Sequence, residues 1–493
     1  MRISASLRAV AWAEREFGGV SVGDSRRAAR LVAVAACACD RPAGKVSAVF
    51  STVKEREGAY DMLENEHFSH EALVDSMAEA TASRCAGLRY VYVPVDGSSL
   101  TLPDHGQSKD FGAVSTNVQG ARGLKVIDAL AVDPDGVVVG WLALTYWTRS
   151  NEPGARPAKG TYARAARDVE DKETWHWIES IRAAKSRLDA RGVRGWFQID
   201  REGDGRDVLL ELASTEHWWT VRNNTDRTIS LEEGGVGHLR EQLSPQSPQG
   251  SYDLEVSGTK KRRARTARMV VRVGRVALRL RDRRTRRITP LEVTAVWTRE
   301  TTPADEEPLD WLLLTNYPVT TLEQAHEVIA GYATRWRVEE CHKTWKSDGC
   351  NVEDTQLHSA NAVMKWATIL AAVAARIERL KRLARKHPDL PATVELAPIE
   401  VRALVLLKRR YKNAKESIRD DPTIKDAVLW IAQLGGYTGK SSGGPPGALT
   451  IRRGLERLNA AVEMLVALAA EGEKKNKNKN DKRVVHGLPS VGL

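Results

Sequence analysis

Over roughly the first 70 residues, apolar side chains recur at three- and four-residue steps. The stretches WAEREFG, GDSRRAARLVAVAACACD and EREGAYDMLENE set small apolar against charged residues at that spacing, which predicts amphipathic helices. Gly23-Asp24-Ser25 reads as a helix start, with Asp24 or Ser25 able to cap the exposed amides of the first turn. From about 88 to 148 the pattern becomes that of strands. LRYVYVPVD is rich in β-branched and aromatic residues, and VIDALAVDPDGVVVGWLALTYW wraps two apolar runs around a Pro-Asp-Gly turn, a hairpin signal. A helical stretch is expected near 164–190. Two short apolar strands follow, GWFQID ending on Asp200 and WWTVRN ending at Arg222.

Residues 225 to about 305 predict an all-β insertion punctuated by GGVG and SPQSPQGS. Within it Val271, Val273 and Leu280 alternate with Arg272 and Arg279, giving one apolar and one basic face. WLLLTN is a further strand. Roughly 321–385 and 392–470 read as helical, broken by Pro388-Asp389-Leu390-Pro391 and by SSGGPPG at 441–447. The KKNKNKNDKR run has the composition of a disordered basic tail. The expected order is a helical domain over 1–70, an α/β domain over 71–385 carrying the β-rich insertion, a helical domain over 386–472, and a tail over 473–493.

Charge sharpens this picture. The 493 residues, at about 150 per domain, suit some three domains, and 42% hydrophobic with 28% charged residues is the balance of a soluble globular chain. The formal charge is +11, yet Lys260–Arg287 alone holds 14 basic residues and one acid, Asp282. So concentrated a stripe needs a polyanion or good solvation, and nucleic acid is the usual partner. Arg26 and Arg30 share one face of a predicted helix, with Arg27 at its border. That face is either solvated or laid against phosphates. Five cysteines are too few and scattered for a disulfide framework, so buried free thiols are preferred over Cys341 and Cys350 as ligands, and a reducing cytoplasm is expected. No apolar run reaches the roughly 18 residues of a membrane span, and no signal-peptide core is present, which argues against secretion and membrane transport.

Two apolar strands deliver an aspartate, Asp96 after VYVPV and Asp200 after WFQI. In isolation each is more simply a turn or cap residue. Their interest comes from a third element, in which Tyr332, Arg335, Glu339, Lys343 and Lys346 are separated by 3, 4, 4 and 3 residues, so that one helix presents all five on one face. An i,i+4 ladder of solvated charges has the same spacing. Trp336 and Trp345 on that helix, however, demand burial. Two Asp and one Glu are the hard oxygen ligands Mg²⁺ prefers, and a pair of such ions suits phosphodiester displacement.

At these residues the chain resembles the bacterial cut-and-paste DDE transposases of the insertion-sequence-four family. The likeness runs through WAEREF, GDSRRAARLV, EGAY, VDGSSL, IDRE, WLLLT, YATRWRVEECHKTWK, LGG and GALT, and the Tyr332, Arg335, Glu339, Lys346 signature is its specific part. It implies a ribonuclease-H-like α/β core with an all-β insertion, flanked by an N-terminal helical DNA-binding domain and a C-terminal helical dimerisation domain. It implies Asp96, Asp200 and Glu339 as a catalytic triad holding two Mg²⁺ ions, for which Mn²⁺ substitutes. Tyr332, Arg335, Lys343 and Lys346 would contact phosphates. Trp311, 21 residues before Tyr332, would stack a flipped base near Arg222, and Arg26, Arg27 and Arg30 would bind the terminal repeat. The partners implied are double-stranded DNA (terminal inverted repeats and target) and a second copy of the chain, with no membrane, in a bacterial cytoplasm at the nucleoid. Arg201-Glu202-Gly203-Asp204-Gly205 is richer in glycine than the family pattern, so a looser turn is expected there. Two competing readings remain: a ribonuclease-H-fold nuclease or resolvase that cuts without joining, and a catalytically dead DNA-binding protein. The long helical flanks argue against the first, and the presence of all three carboxylates against the second.

Overall fold

The computed structural model describes residues 5–104, 109–114, 121–150, 167–256, 258, 263–301, 307–410, 418–439 and 444–485. Its N-terminal part is helical: α1 (Leu7–Phe17), α2 (Ser25–Asp40), α3 (Val46–Val49), α4 (Val53–Leu63) and α5 (His70–Cys85). Local chemistry sets their starts. Asp24 caps α2 by accepting from the Arg26 amide at 2.7 Å, and Thr52 with Glu55 closes a reciprocal capping box on α4.

The centre is a 12-stranded sheet. Strand β1 (Tyr90–Thr101) lies between β3 (Arg122–Val132), antiparallel to it, and β5 (Arg194–Ile199), parallel to it; short β2 (Gly112–Ala113) edges β3. β3 turns at Pro134-Asp135-Gly136 into β4 (Val138–Trp147), with Gly136 at φ 82°, where a side chain would be strained. Helix α6 (Thr174–Asp189) precedes β5, α7 (Arg206–Ala213) follows it, and β6 (Trp218–Arg222) pairs parallel to β5. The order β4-β3-β1-β5-β6, three antiparallel strands then two parallel ones, is the ribonuclease-H-like arrangement.

The insertion does not form a separate sheet. Its strands β7 (Thr228–Ser230), β8 (Val236–His238), β9 (Gly250–Val256), β10 (Arg265–Arg281) and β11 (Ile288–Glu300) continue the central one, joined to β6 through β12 (Asp310–Thr315). It is also not wholly β, since Leu239–Leu243 forms the short helix α8. Nor has β10 a single apolar face. Ala267, Met269 and Val271 are buried in one phase and Val276, Leu278 and Leu280 in the other, while Val273 is only half-buried. Over 17 residues the twist of the strand carries it from one core to another.

After β12 come α9 (Leu322–Thr334), α10 (Trp336–Lys343), a π turn (Thr344–Asp348), α11 (Ala360–Lys386), α12 (Pro398–Arg410), α13 (Ile424–Leu434) and α14 (Ala448–Val485). α11 is apolar enough over 18 residues to cross a membrane by length and composition, but 89% of that window is buried in the protein. It is the central core helix. α14 runs to Val485, so the lysine–asparagine run expected to be disordered is helical as far as that residue. Extending a helix that is already nucleated adds one hydrogen bond per residue fixed.

Candidate active site

Asp96 lies within β1, not at its end, because the antiparallel ladder with β3 continues to Thr101. What stops at Asp96 is the parallel pairing, whose last partners are Val95 and Ile199. Asp200 is therefore the next residue on the adjoining strand, while Asp128 sits opposite Asp96 on the other side. Asp200 Oδ1 accepts from the amides of Glu202 (2.7 Å) and Gly203 (3.4 Å). The glycine-rich turn is tied down where a looser one was expected. A Cβ on Gly203 would lie 2.4 Å from Ile199 and 2.8 Å from Trp177, and Asp204 binds the Asn224 amide (2.7 Å) and Arg227.

The expected single helix is interrupted. α9 ends at Thr334, Arg335 links it to α10, and the π turn follows Lys343. That wider turn accommodates two opposed demands: Trp345 is fully buried, donating to the Ala367 carbonyl at 3.0 Å, while Lys346 reaches the Ser99 carbonyl on β1 at 2.7 Å. Trp336, expected inside, is 59% exposed. It follows Arg335, which points at β1, and one residue along a helix rotates the side chain by about 100°.

Arg335 Nη1 lies 2.6 Å from Asp96 Oδ2 and its Nη2 lies 3.6 Å from Glu339 Oε1. Asp96, Glu339 and His342 bring one ligand atom each within 4.8 Å of one another. His342 was not foreseen. Its signal is the Glu-x-x-His spacing from Glu339, which puts both on one helix face. His342 Nε2 meets Asp128 Oδ2 at 2.7 Å, in a fully buried pair stacked on Trp141. Burial pushes the Asp96 carboxyl up to about 7, against the charges of Arg335 and His342, with Asp200 and Asp128 adding to the rise. Burial also raises Asp128; it would lower His342, but the charge and hydrogen bond of Asp128 together with the charges of Asp96 and Glu339 outweigh it, and the imidazole is raised.

These residues fit a divalent cation. Carboxylates crowd together under an effective burial cost that an added positive charge relieves, and Asp128 Oδ1 is buried without a hydrogen-bond partner among the described residues.

Beside the carboxylates, Tyr332 is buried edge-on to Trp311 (5.3 Å between centroids), and the Arg222 guanidinium lies 5.6 Å from the Trp311 ring. Trp311 and Arg222, expected near a displaced base, thus cluster with Tyr332, expected at the phosphates. Lys343 does not join them; it is exposed and pairs with Asp348 at 2.8 Å. On α2, Arg26 and Arg30 face solvent, but Arg27 folds back to the Val22 carbonyl at 3.3 Å. Much of the basic stripe is engaged by neighbours: Arg268 with Asp253 (3.0 Å), Arg265 with Glu300 (2.7 Å), and Arg272 with the Gln246 carbonyl (3.1 Å). Lys260, Lys261 and Arg262 lie outside the described residues. All five cysteines are buried and free.

Three family models match the chain in order: transposase DNA-binding over residues 9–68, transposase DDE domain over 235–375, and transposase Tn5 dimerisation domain over 372–471. Together they cover more than half of it. The chain belongs to the Tn5-like DDE transposases. This transposase is accordingly a DNA-cleaving and strand-transferring enzyme that uses a divalent metal, and its terminal regions imply DNA and a second copy of itself as partners. The DDE match contains Glu339, whereas Asp96, which shares its ligand group, and Asp200, just past the adjoining strand, precede the match.

Proposed function

We propose that this transposase excises its element by a cut-and-paste route, with a hairpin intermediate, and joins the freed 3′ ends to target DNA. The observation that carries the reading is the grouping of Asp96 and Glu339 with His342, with Asp200 next along the adjoining strand and the Arg222–Trp311–Tyr332 cluster beside them. Asp96, Glu339 and Asp200 would hold two Mg²⁺ ions, with Mn²⁺ as a substitute, which when bound activate the attacking hydroxyl and stabilise the leaving oxygen. Arg335 neutralises the carboxylates and is placed to turn to a phosphate of the cleaved strand; Lys346 is placed to grip the same strand. A hairpin forces one base out of the stack, costing a few kcal/mol. The Trp311 face beside Arg222 offers that base a platform, and exposed Trp336 offers a second aromatic surface. Arg26, Arg27 and Arg30 would seat the terminal inverted repeat, and the C-terminal helices would pair two subunits so that each cleaves the end held mainly by the other. The setting is the bacterial cytoplasm, at the nucleoid.

The test is incubation with Mg²⁺ and labelled DNA carrying the element's own end, followed by addition of target. Nicked, hairpin and joined products should appear in that order. Trp311→Ala should lower the hairpin yield about tenfold or more, the worth of one base–aromatic stack, while leaving first-strand nicking near normal. Cleavage without joining would leave only a nuclease.

Asp96 also predicts a pH dependence. Its folded-state pKa lies above the unfolded one, so without cation its contribution favours the fold below the ordinary carboxylate range and is lost as pH rises through about 7. A cation binds the ionised form. Mn²⁺ affinity should therefore climb about tenfold per unit as pH approaches 7 and level off above it. Calorimetric titration across that range checks this, and a flat profile counts against it.

A further inference from the structure

A cavity of about 470 Å³ lies apart from the carboxylates, where α1, α5, the β3–β4 hairpin, α11 and the 393–398 segment meet. Five arginines line it (Arg8, Arg15, Arg84, Arg376 and Arg379) against two acids, Glu16 and Glu395. Both acids are already engaged. Glu16 takes Arg84 through both oxygens, and Glu395 takes Arg379 at 2.6 Å. Arg8 is held from behind by Asp40 (3.2 Å), Glu400 (2.8 Å) and Asn459 (3.1 Å), yet its Nη1 is buried with no hydrogen-bond partner among the described residues.

Arg376 is the decisive group. It is 7% exposed, and its one hydrogen-bond contact among the described residues is Cys39 Sγ at 3.7 Å. Burial raises the Cys39 thiol, so the sulfur stays a neutral, weak acceptor. A buried guanidinium without a carboxylate is costly, and such charges are ordinarily paired. Arg15, at the end of α1, has no ion pair among the described residues and adds another positive charge to the lining. The remaining wall includes the apolar side chains of Trp12, Val139, Leu396 and Pro398 alongside Thr81 and Thr393. A volume of this order holds a small molecule, not a duplex.

We infer that this cavity binds a small phosphorylated anion of nucleotide size, its phosphates on Arg376, Arg8 and Arg15 and its apolar part against the Trp12–Leu396 wall. The ligand bridges α1, within the DNA-binding match, to α11 residues within the dimerisation match. It therefore ties together the two ends of the chain.

The experiment is calorimetric titration of the full-length protein, without divalent cations and at constant ionic strength, with ATP, inorganic pyrophosphate and adenosine. ATP and pyrophosphate should bind and adenosine should not. Arg376→Gln should weaken ATP at least about tenfold, the loss of one charge-assisted contact. Because removing a buried guanidinium can unfold a chain, Arg15→Gln on the exposed side provides a second test and should weaken ATP about threefold or more. Asp96→Asn should leave the affinity unchanged, which separates this site from the carboxylates and from the fate of the cut-and-paste reading. The inference is overturned if pyrophosphate does not bind, if adenosine matches ATP, if both arginine variants bind ATP as the parent does, or if Asp96→Asn abolishes binding.

Discussion

Asp96→Asn is expected to reduce metal-dependent strand cleavage by at least about three powers of ten, since a catalytic cation supplies several kcal/mol and each 1.36 kcal/mol is tenfold in rate. The amide matches the carboxylate in size but brings no charge to the cation. Arg335 loses its 2.6 Å partner and keeps Glu339 at 3.6 Å. DNA-end binding should change by less than about threefold, because Arg26, Arg27 and Arg30 lie on α2 and are untouched. The melting temperature should hold or fall slightly, because the relief of removing an acid that burial disfavours is set against the weaker partner left to the buried Arg335 guanidinium. Gel assays of cleavage and of end binding check both parts. Cleavage within tenfold of the parent, or joint loss of cleavage and binding, would remove the support for the acidic cluster as the reaction centre.

The second large effect concerns the core. Trp366→Ala on α11 should destabilise the protein by about 3–5 kcal/mol for the lost side chain, with a further ~1–3 kcal/mol for a stranded carbonyl. Trp366 is fully buried and donates to the Gly44 carbonyl at 2.8 Å. The segment at Gly44 has no slack with which to refill the space, since a Cβ there would sit 1.9 Å from the Asn351 carbonyl oxygen. Trp366→Phe keeps most of the volume and should cost clearly less. Urea melts followed by circular dichroism measure both; equal midpoints for the two variants would mean the site collapses freely.

The N-terminal helices, the β3–β4 hairpin and the strand leading to Asp200 were legible because their signals are local: a period of burial, a capping side chain, a turn with glycine at positive φ. Glu339 and its Tyr332 and Arg335 neighbours were legible as a motif. Other features were not, because they depend on which distant segment comes to lie alongside. By its sequence Asp96 has the signature of a strand end, since nothing local reveals that β1 continues on its antiparallel side after its parallel partner stops. His342 and Asp128 are 214 residues apart, and only the register of β3 against β1 together with the packing of α10 on β1 brings them together behind the site. Trp336 carries the same apolar signal as Trp345, yet the break at Arg335 and the π turn leave one in solvent and bury the other.

What the sequence determined alone was the identity and order of elements and the acids they carry, because side-chain periodicity and turn chemistry act over a few residues. Tertiary structure alone decided which strands share one sheet, which charges neutralise one another, and which arginines are left unpaired in a cavity. Those outcomes are set by contacts between residues tens to hundreds of positions apart, whose energies no short window of sequence contains.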